Sequence, residues 1–219
     1  SVLKSDQILL VCEGLDTLAD IHINGQSVGS ASNMHRTYEF DVKSILRIGA
    51  NRMDILLKSP TEYIARKQKK VLLIGSTDAI AGYPHLRKGH SMFGWDWGPQ
   101  IPDAGIWRDI YISAYDTARL RDVYITQLHD GGRVTLNIAS SIQSFGDGDE
   151  GIDVSVTSPD GEIFKTGALN ARERENLKIE IENPMLWWPH GYGRQYLYEV
   201  LVELNGNGRV LDKREYRIG

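Results

Sequence analysis

Apolar and polar residues alternate with a period of two along most of this chain. Ile21 and Ile23 alternate with Asp20 and His22, and Asn24-Gly25 follows, a pair suited to the left-handed backbone of a two-residue hairpin. Tyr38, Phe40 and Val42 share one face of the next run, and Met53, Ile55 and Leu57 share one face of the run after it. Over residues 105–113, Ile106, Ile110 and Ile112 alternate with Trp107, Asp109 and Tyr111, which predicts a further strand. Beyond Asp116-Thr117-Ala118 the strands become regularly spaced: Val134/Leu136/Ile138, Ile152/Val154/Val156, Leu177/Ile179/Ile181 and Tyr196/Tyr198/Val200/Val202/Leu204. Pro159-Asp160-Gly161 and Asn205-Gly206-Asn207-Gly208 supply turns between them. Only residues 60–70 read as helix, opening on Pro-Thr-Glu with Tyr63, Ile64 and Lys67 at helical spacing. The pattern predicts an all-β chain of two β-sandwich domains, residues 1–118 and 119–219.

Composition narrows the classes of function. The 219 residues suffice for two small cores, and a net charge of −4 with no long basic stripe excludes a nucleic-acid partner. The densest basic cluster, Arg66-Lys67-Gln68-Lys69-Lys70, falls on one face of the expected helix. No apolar run approaches the ~20 residues of a membrane helix, so no membrane partner is expected. Cys12 is the single cysteine and lies beside Leu9, Leu10 and Val11, as a small core residue does. With no disulfide possible within the chain and no Asn-x-Ser/Thr site, a reducing, cytoplasmic compartment is expected.

Candidate chemistry concentrates in Phe93-Gly94-Trp95-Asp96-Trp97-Gly98-Pro99, where two of five tryptophans flank one carboxylate. Indole faces cover the C–H face of a sugar ring, and a carboxylate between them accepts hydrogen bonds from sugar hydroxyls. A core has little use for that charge. The residue types leave two readings open: a sugar site centred on Asp96, or a turn aspartate above two core indoles. Arg87, in Tyr83-Pro84-His85-Leu86-Arg87-Lys88-Gly89-His90, is the basic residue best placed by sequence to pair with Asp96; a surface arginine is the alternative. His85 and His90 do not fit metal-ligand spacing, and neither a metal nor a cofactor is expected. Asp147-Gly148-Asp149-Glu150-Gly151 lacks the later ligands of a calcium loop and reads as a solvated acidic hairpin. Trp187-Trp188-Pro189-His190-Gly191-Tyr192-Gly193 reads as a plug sealing a sandwich end or a domain interface. No nucleophile set, phosphate loop or carboxylate pair stands out, so no catalytic residue is assigned.

Several of these motifs, in order, resemble the N-terminal, non-catalytic part of a β-mannosidase of glycoside hydrolase family 2. Gly14-Leu15-Asp16-Thr17-Leu18-Ala19-Asp20-Ile21-His22-Ile23-Asn24-Gly25, then Val28-Gly29, Asp41-Val42 and Gly49-Ala50-Asn51, are similar to its sugar-binding, galactose-binding-like jelly roll. The Trp-Asp-Trp segment and Gly105-Ile106-Trp107-Arg108 resemble the β-mannosidase subgroup, and Asn183-Pro184-Met185-Leu186-Trp187-Trp188-Pro189 resembles the immunoglobulin-like domain that follows. The resemblance implies a parent enzyme that removes terminal β-linked mannose with retention. Its two glutamates would lie on a (β/α)₈ barrel beyond Gly219, and the jelly roll here would be N-terminally truncated. It also implies that Asp96 contacts hydroxyls of the terminal mannose, with Trp95 and Trp97 as walls of the same pocket; Arg87 is added on charge grounds. The fragment alone would then be inactive, its partners a β-mannoside and its own barrel. A stand-alone carbohydrate-binding module and a structural docking domain are the alternatives.

Overall fold

The computed structural model describes every residue except Ser1, Trp97, Asp147, Gly148 and Arg172. Antiparallel strands dominate it, as the alternation predicts. The chain divides into two compact units, Ser1–Ala114 and Tyr115–Gly219.

In the first unit the strands are β1 (Gln7–Cys12), β2 (Leu15–Asp16), β3 (Ala19–Ile23), β4 (Gln26–Ala31), β5 (Tyr38–Asp41), β6 (Met53–Leu57), β7 (Gly105–Ile106) and β8 (Ile110–Tyr115). They pair as β5-β1-β8, β4-β3-β6 and β2-β7. Ile8, Leu10 and Cys12 of β1 pack with Ala19, Ile21 and Ile23 of β3 in one core. The β3–β4 hairpin turns through Asn24 and Gly25, at φ 52° and 80°, the pair singled out by its sequence. The strand expected over residues 105–113 is two strands. β7 pairs with β2 and β8 with β1, and the interruption matches residues 13–14 between β1 and β2. There the Trp107 N–H donates to the Gly14 carbonyl (3.0 Å) and the Glu13 N–H to the Asp109 carbonyl (3.0 Å), so pairing steps from one strand to the next.

Among the described residues one α-helix, α1 (Pro60–Gln68), is present, in the expected place. The Ser59 hydroxyl accepts the Glu62 N–H, and Pro60 opens the first turn where its missing N–H costs nothing. Its Ile64 packs with Leu18, Ala79, Leu86 and Phe93 in a second, smaller core.

The second unit holds β9 (Ala118–Asp130), β10 (Arg133–Ser144), β11 (Gly151–Thr157), β12 (Ile163–Ala168), β13 (Arg174–Glu182), β14 (Tyr198–Gly206) and β15 (Arg209–Ile218). A three-stranded sheet, β13-β10-β9, and a four-stranded sheet, β12-β11-β14-β15, form this sandwich. The alternating residues Val134, Leu136 and Ile138, then Ile152, Val154 and Val156, then Val200, Val202 and Leu204, are all buried in one core. Tyr196 falls outside β14, and Leu177 is only partly buried. In the acidic hairpin Asp147 and Gly148 lie outside the described residues, and Glu150 is buried rather than solvated. Among the described residues no helix is long and apolar enough to cross a membrane.

Candidate functional site

The segment between α1 and β7 folds back on the helix and ends in the Trp-Asp-Trp loop. Gln68 at the helix end exchanges two amide hydrogen bonds with the backbone of Leu73 (2.9 and 3.1 Å). The Tyr83 hydroxyl accepts the Ser76 N–H at 3.1 Å. His85 Nε2 lies 2.9 Å from Gln68 Oε1 and 3.0 Å from the Val71 carbonyl, while His90 meets the Tyr83 ring edge-on. Both histidines therefore serve loop packing.

Phe93 is the anchor of the loop. Its side chain is fully buried against Ile64 and Leu86, and its carbonyl accepts the Ile80 N–H at 2.9 Å. Gly94 follows at φ 104°, where an added Cβ would lie 2.4 Å from Gln100 Cγ and 3.1 Å from the Asp78 carbonyl oxygen. Glycine is required there for both conformation and space. The chain then turns tightly: Trp95 and Gly98 pair as an isolated antiparallel bridge, the Gly98 N–H donating to the Trp95 carbonyl at 3.2 Å. Asp96 lies in that turn, its carboxylate exposed and without a hydrogen bond or ion pair to any described residue. Trp95 beside it is 40% exposed, so its indole is not a core residue. Trp97 lies outside the described residues.

Trp95 forms one wall of a surface hollow of about 200 Å³, lined otherwise by Ala79, Tyr83, His90, Ser91 and Gly94. Three aromatic rings and a neighbouring carboxylate suit the apolar face and hydroxyls of a sugar. A larger hollow, about 520 Å³, lies over Ser155, Glu199 and Tyr216 in the second unit; it is open sheet face without an indole. A single exposed carboxylate cannot carry glycoside hydrolysis, which takes an acid and a nucleophile or base on opposite sides of the bond.

Arg87 does not pair with Asp96. Its side chain is exposed, and its backbone bridges Asn33. The basic residue that is buried and paired is the next one, Lys88, whose ammonium contacts the Asp16 carboxylate and lies 3.4 Å from Asp103 Oδ1. Sequence reasoning missed this group because Lys88 and Asp16 are 72 positions apart. The only local sign was an aspartate between the apolar Leu15 and Leu18. Trp107, from the Gly-Ile-Trp-Arg motif, donates its Nε1–H to the Met34 carbonyl at 3.1 Å and carries the Arg108 guanidinium 4.2 Å above its ring.

Two family models define the class of protein to which these sandwiches belong. Residues 1–108 match the glycosyl hydrolase 2 galactose-binding domain-like model, and residues 118–219 match the model for glycosyl hydrolases family 2. The chain belongs to glycosyl hydrolase family 2 and carries its galactose-binding-like and immunoglobulin-like domains. It is similar to "Beta-mannosidase B" of Aspergillus niger, 30% identical over 100% of this chain and 26% of that protein. It is also similar to the "Beta-mannosidase" of Bos taurus, 29% identical over 93% of this chain and 25% of that protein. The crystal structure of the β-D-mannosidase from Dictyoglomus thermophilum superposes with a TM-score of 0.87 at 32% identity, covering all of this chain and 27% of that one. The chain thus spans about a quarter of the length of these relatives.

Proposed function

We propose that this chain is the non-catalytic region of a retaining β-mannosidase, and that Asp96 holds hydroxyls of the terminal, non-reducing β-mannose. The supporting observation is the Asp96 carboxylate itself: exposed, unpartnered among the described residues, beside a half-exposed indole, on a turn anchored by buried Phe93. The similarity to proteins named β-mannosidase over the whole chain supports the substrate class. In this reading residues 1–118 carry the sugar contact and residues 119–219 link it to a (β/α)₈ barrel holding both catalytic glutamates. Trp95 walls the pocket, and Arg87, exposed and not engaged with Asp96, offers its guanidinium to the substrate. Asp96 is neither acid nor base; it fixes the sugar so that the barrel carboxylates meet the anomeric carbon, a positioning effect of several kcal/mol.

The test is Asp96→Ala in the whole protein. kcat/KM on an aryl β-mannoside should fall by about two to four orders of magnitude with Tm unchanged, a loss in the range oriented binding supplies. A folded variant with unchanged kcat/KM defeats the assignment. The isolated chain should give little tryptophan fluorescence response to mannose, since it holds one wall of the pocket. Strong binding by the chain alone would favour a stand-alone carbohydrate-binding module instead.

A further inference from the structure

Lys88 and Asp103 stand at the two ends of the loop that carries Asp96, residues 89–102. The Lys88 side chain is 0% exposed, and an ammonium so placed persists only when paired. Its partners come from two different elements. Asp16 belongs to β2, where it also accepts the Thr17 hydroxyl; Asp103 lies at the far end of the loop and is 71% exposed. Asp16 is in register with Gly105 of β7, two residues beyond Asp103, so the ion pair sits where the loop rejoins the sheet. The same two ends are stitched at Met34. Its N–H donates to the Arg87 carbonyl (3.0 Å), its sulfur accepts the Gly89 N–H (2.9 Å), and its carbonyl accepts the Trp107 Nε1–H.

We propose that Lys88 is a positioning residue: its pairing with Asp16 and Asp103 clasps the base of loop 89–102 onto β2 and sets where Trp95 and Asp96 stand. The proposal rests on the reading of Asp96 as a sugar contact. An apolar residue at position 88 would fill the space but would not fix a direction. The ammonium is drawn at once to the sheet and to the loop's other end, and it holds them in one arrangement. Removing it alone would strand the buried Asp16 charge and confuse loop placement with general destabilisation.

The test therefore uses two variants. Lys88→Met/Asp16→Asn removes the buried charges together; Asp103→Asn removes only the exposed partner and leaves the core intact. Hydrogen exchange over residues 89–102 is followed by mass spectrometry, with residues 134–138 in the second unit as an internal reference. Exchange in the loop should quicken about ten-fold in the double variant and roughly two- to three-fold in Asp103→Asn, with the reference unchanged. In the whole protein, KM for an aryl β-mannoside should rise more than kcat falls, in the same order of variants. Loop exchange at the parental rate in both variants overturns the clasp, and faster exchange with unchanged KM and kcat overturns its positioning role. If the double variant does not fold, the same readings on Asp103→Asn decide alone. An active Asp96→Ala protein would instead remove the sugar contact while leaving the exchange result standing, so the two failures are distinguishable.

Discussion

The corner at residues 93–99 and the corner at residues 187–193 both set tryptophan beside Gly and Pro, yet their backbones are held differently. The first hangs from the core: Phe93 is fully buried, Gly94 takes a φ that other residues avoid, and the turn closes between Trp95 and Gly98. The second is held by the residues that follow it, ahead of β14. Trp187 bridges Gln195, the Trp188 N–H donates to the Arg194 carbonyl at 3.0 Å, and the Tyr192 N–H to the Pro189 carbonyl at 3.0 Å. Trp187, Trp188 and Tyr192 are all substantially exposed within this chain, and no carboxylate lies within residues 187–193. Aromatic content does not separate the corners. What separates them is an anchor that fixes the tip, and a charge at that tip worth fixing.

The largest effect should come from the charge. Asp96→Ala in the whole protein is expected to lower kcat/KM by orders of magnitude, whereas Trp188→Ala should change it less than ten-fold. Equal losses would erase the distinction between a contact corner and a structural one. Stability should show the opposite emphasis on anchors. Phe93→Ala opens a cavity among Ile64, Leu86 and Leu18 and should cost about 3–5 kcal/mol in urea unfolding of the first unit. Trp188→Ala, at 48% exposure, should cost less than half of that. The two glycines give a finer contrast. At Gly94 an added methyl meets Gln100 and a backbone oxygen at a positive φ; at Gly193, where φ is not positive, its nearest contacts are Trp188 Cδ1 at 2.7 Å and Cβ and Cγ at 2.9 Å. Gly94→Ala should cost about 1–3 kcal/mol. Gly193→Ala should cost less, because no positive φ is strained there, although Trp188 must shift from its 2.7–2.9 Å contacts.

How far the sequence revealed all this depends on the range of the interaction. Alternation is a property of neighbours, so Val134/Leu136/Ile138 and Ile152/Val154/Val156 announced both their strands and their buried faces. Asn24-Gly25 announced its turn because the required φ is a property of those two residues. The break within residues 105–113 was not visible, since it is imposed by the gap between β1 and β2, strands far away in sequence. β9, the longest strand, carried no clean alternation: Ala118, Arg119 and Leu120 are buried in succession. At the candidate site, Trp95 and Asp96 stood out by residue type. Lys88 did not, because a lysine next to an arginine looks like surface until its partner 72 residues away is known. Charge pointed to Arg87 as the partner of Asp96; the two do not pair, and the buried Lys88 pairs with Asp16 instead.

The smallest effect sharpens the contrast through a probe inside the first unit. Cys12 is the chain's one cysteine and packs in the β1/β3 core, where burial pushes its thiol from an ordinary 9.0 up to about 11. A raised pKa on an acid means that the folded state favours the neutral thiol. Below pH 9 the thiol is neutral whether the unit is folded or not, and the difference contributes fully to stability. Between pH 9 and 11 only the unfolded chain releases the proton, so the first unit should lose stability as pH rises through that window. The urea midpoint should therefore fall over this range, and Cys12→Ala should flatten the fall. At pH 8 a thiol reagent reaches Cys12 only through opening of that unit. Phe93→Ala, which loosens the same unit, should speed labelling several-fold, and Trp188→Ala should speed it less. Labelling equally fast in both variants would show that the first corner has no special tie to the β1/β3 core of its own unit.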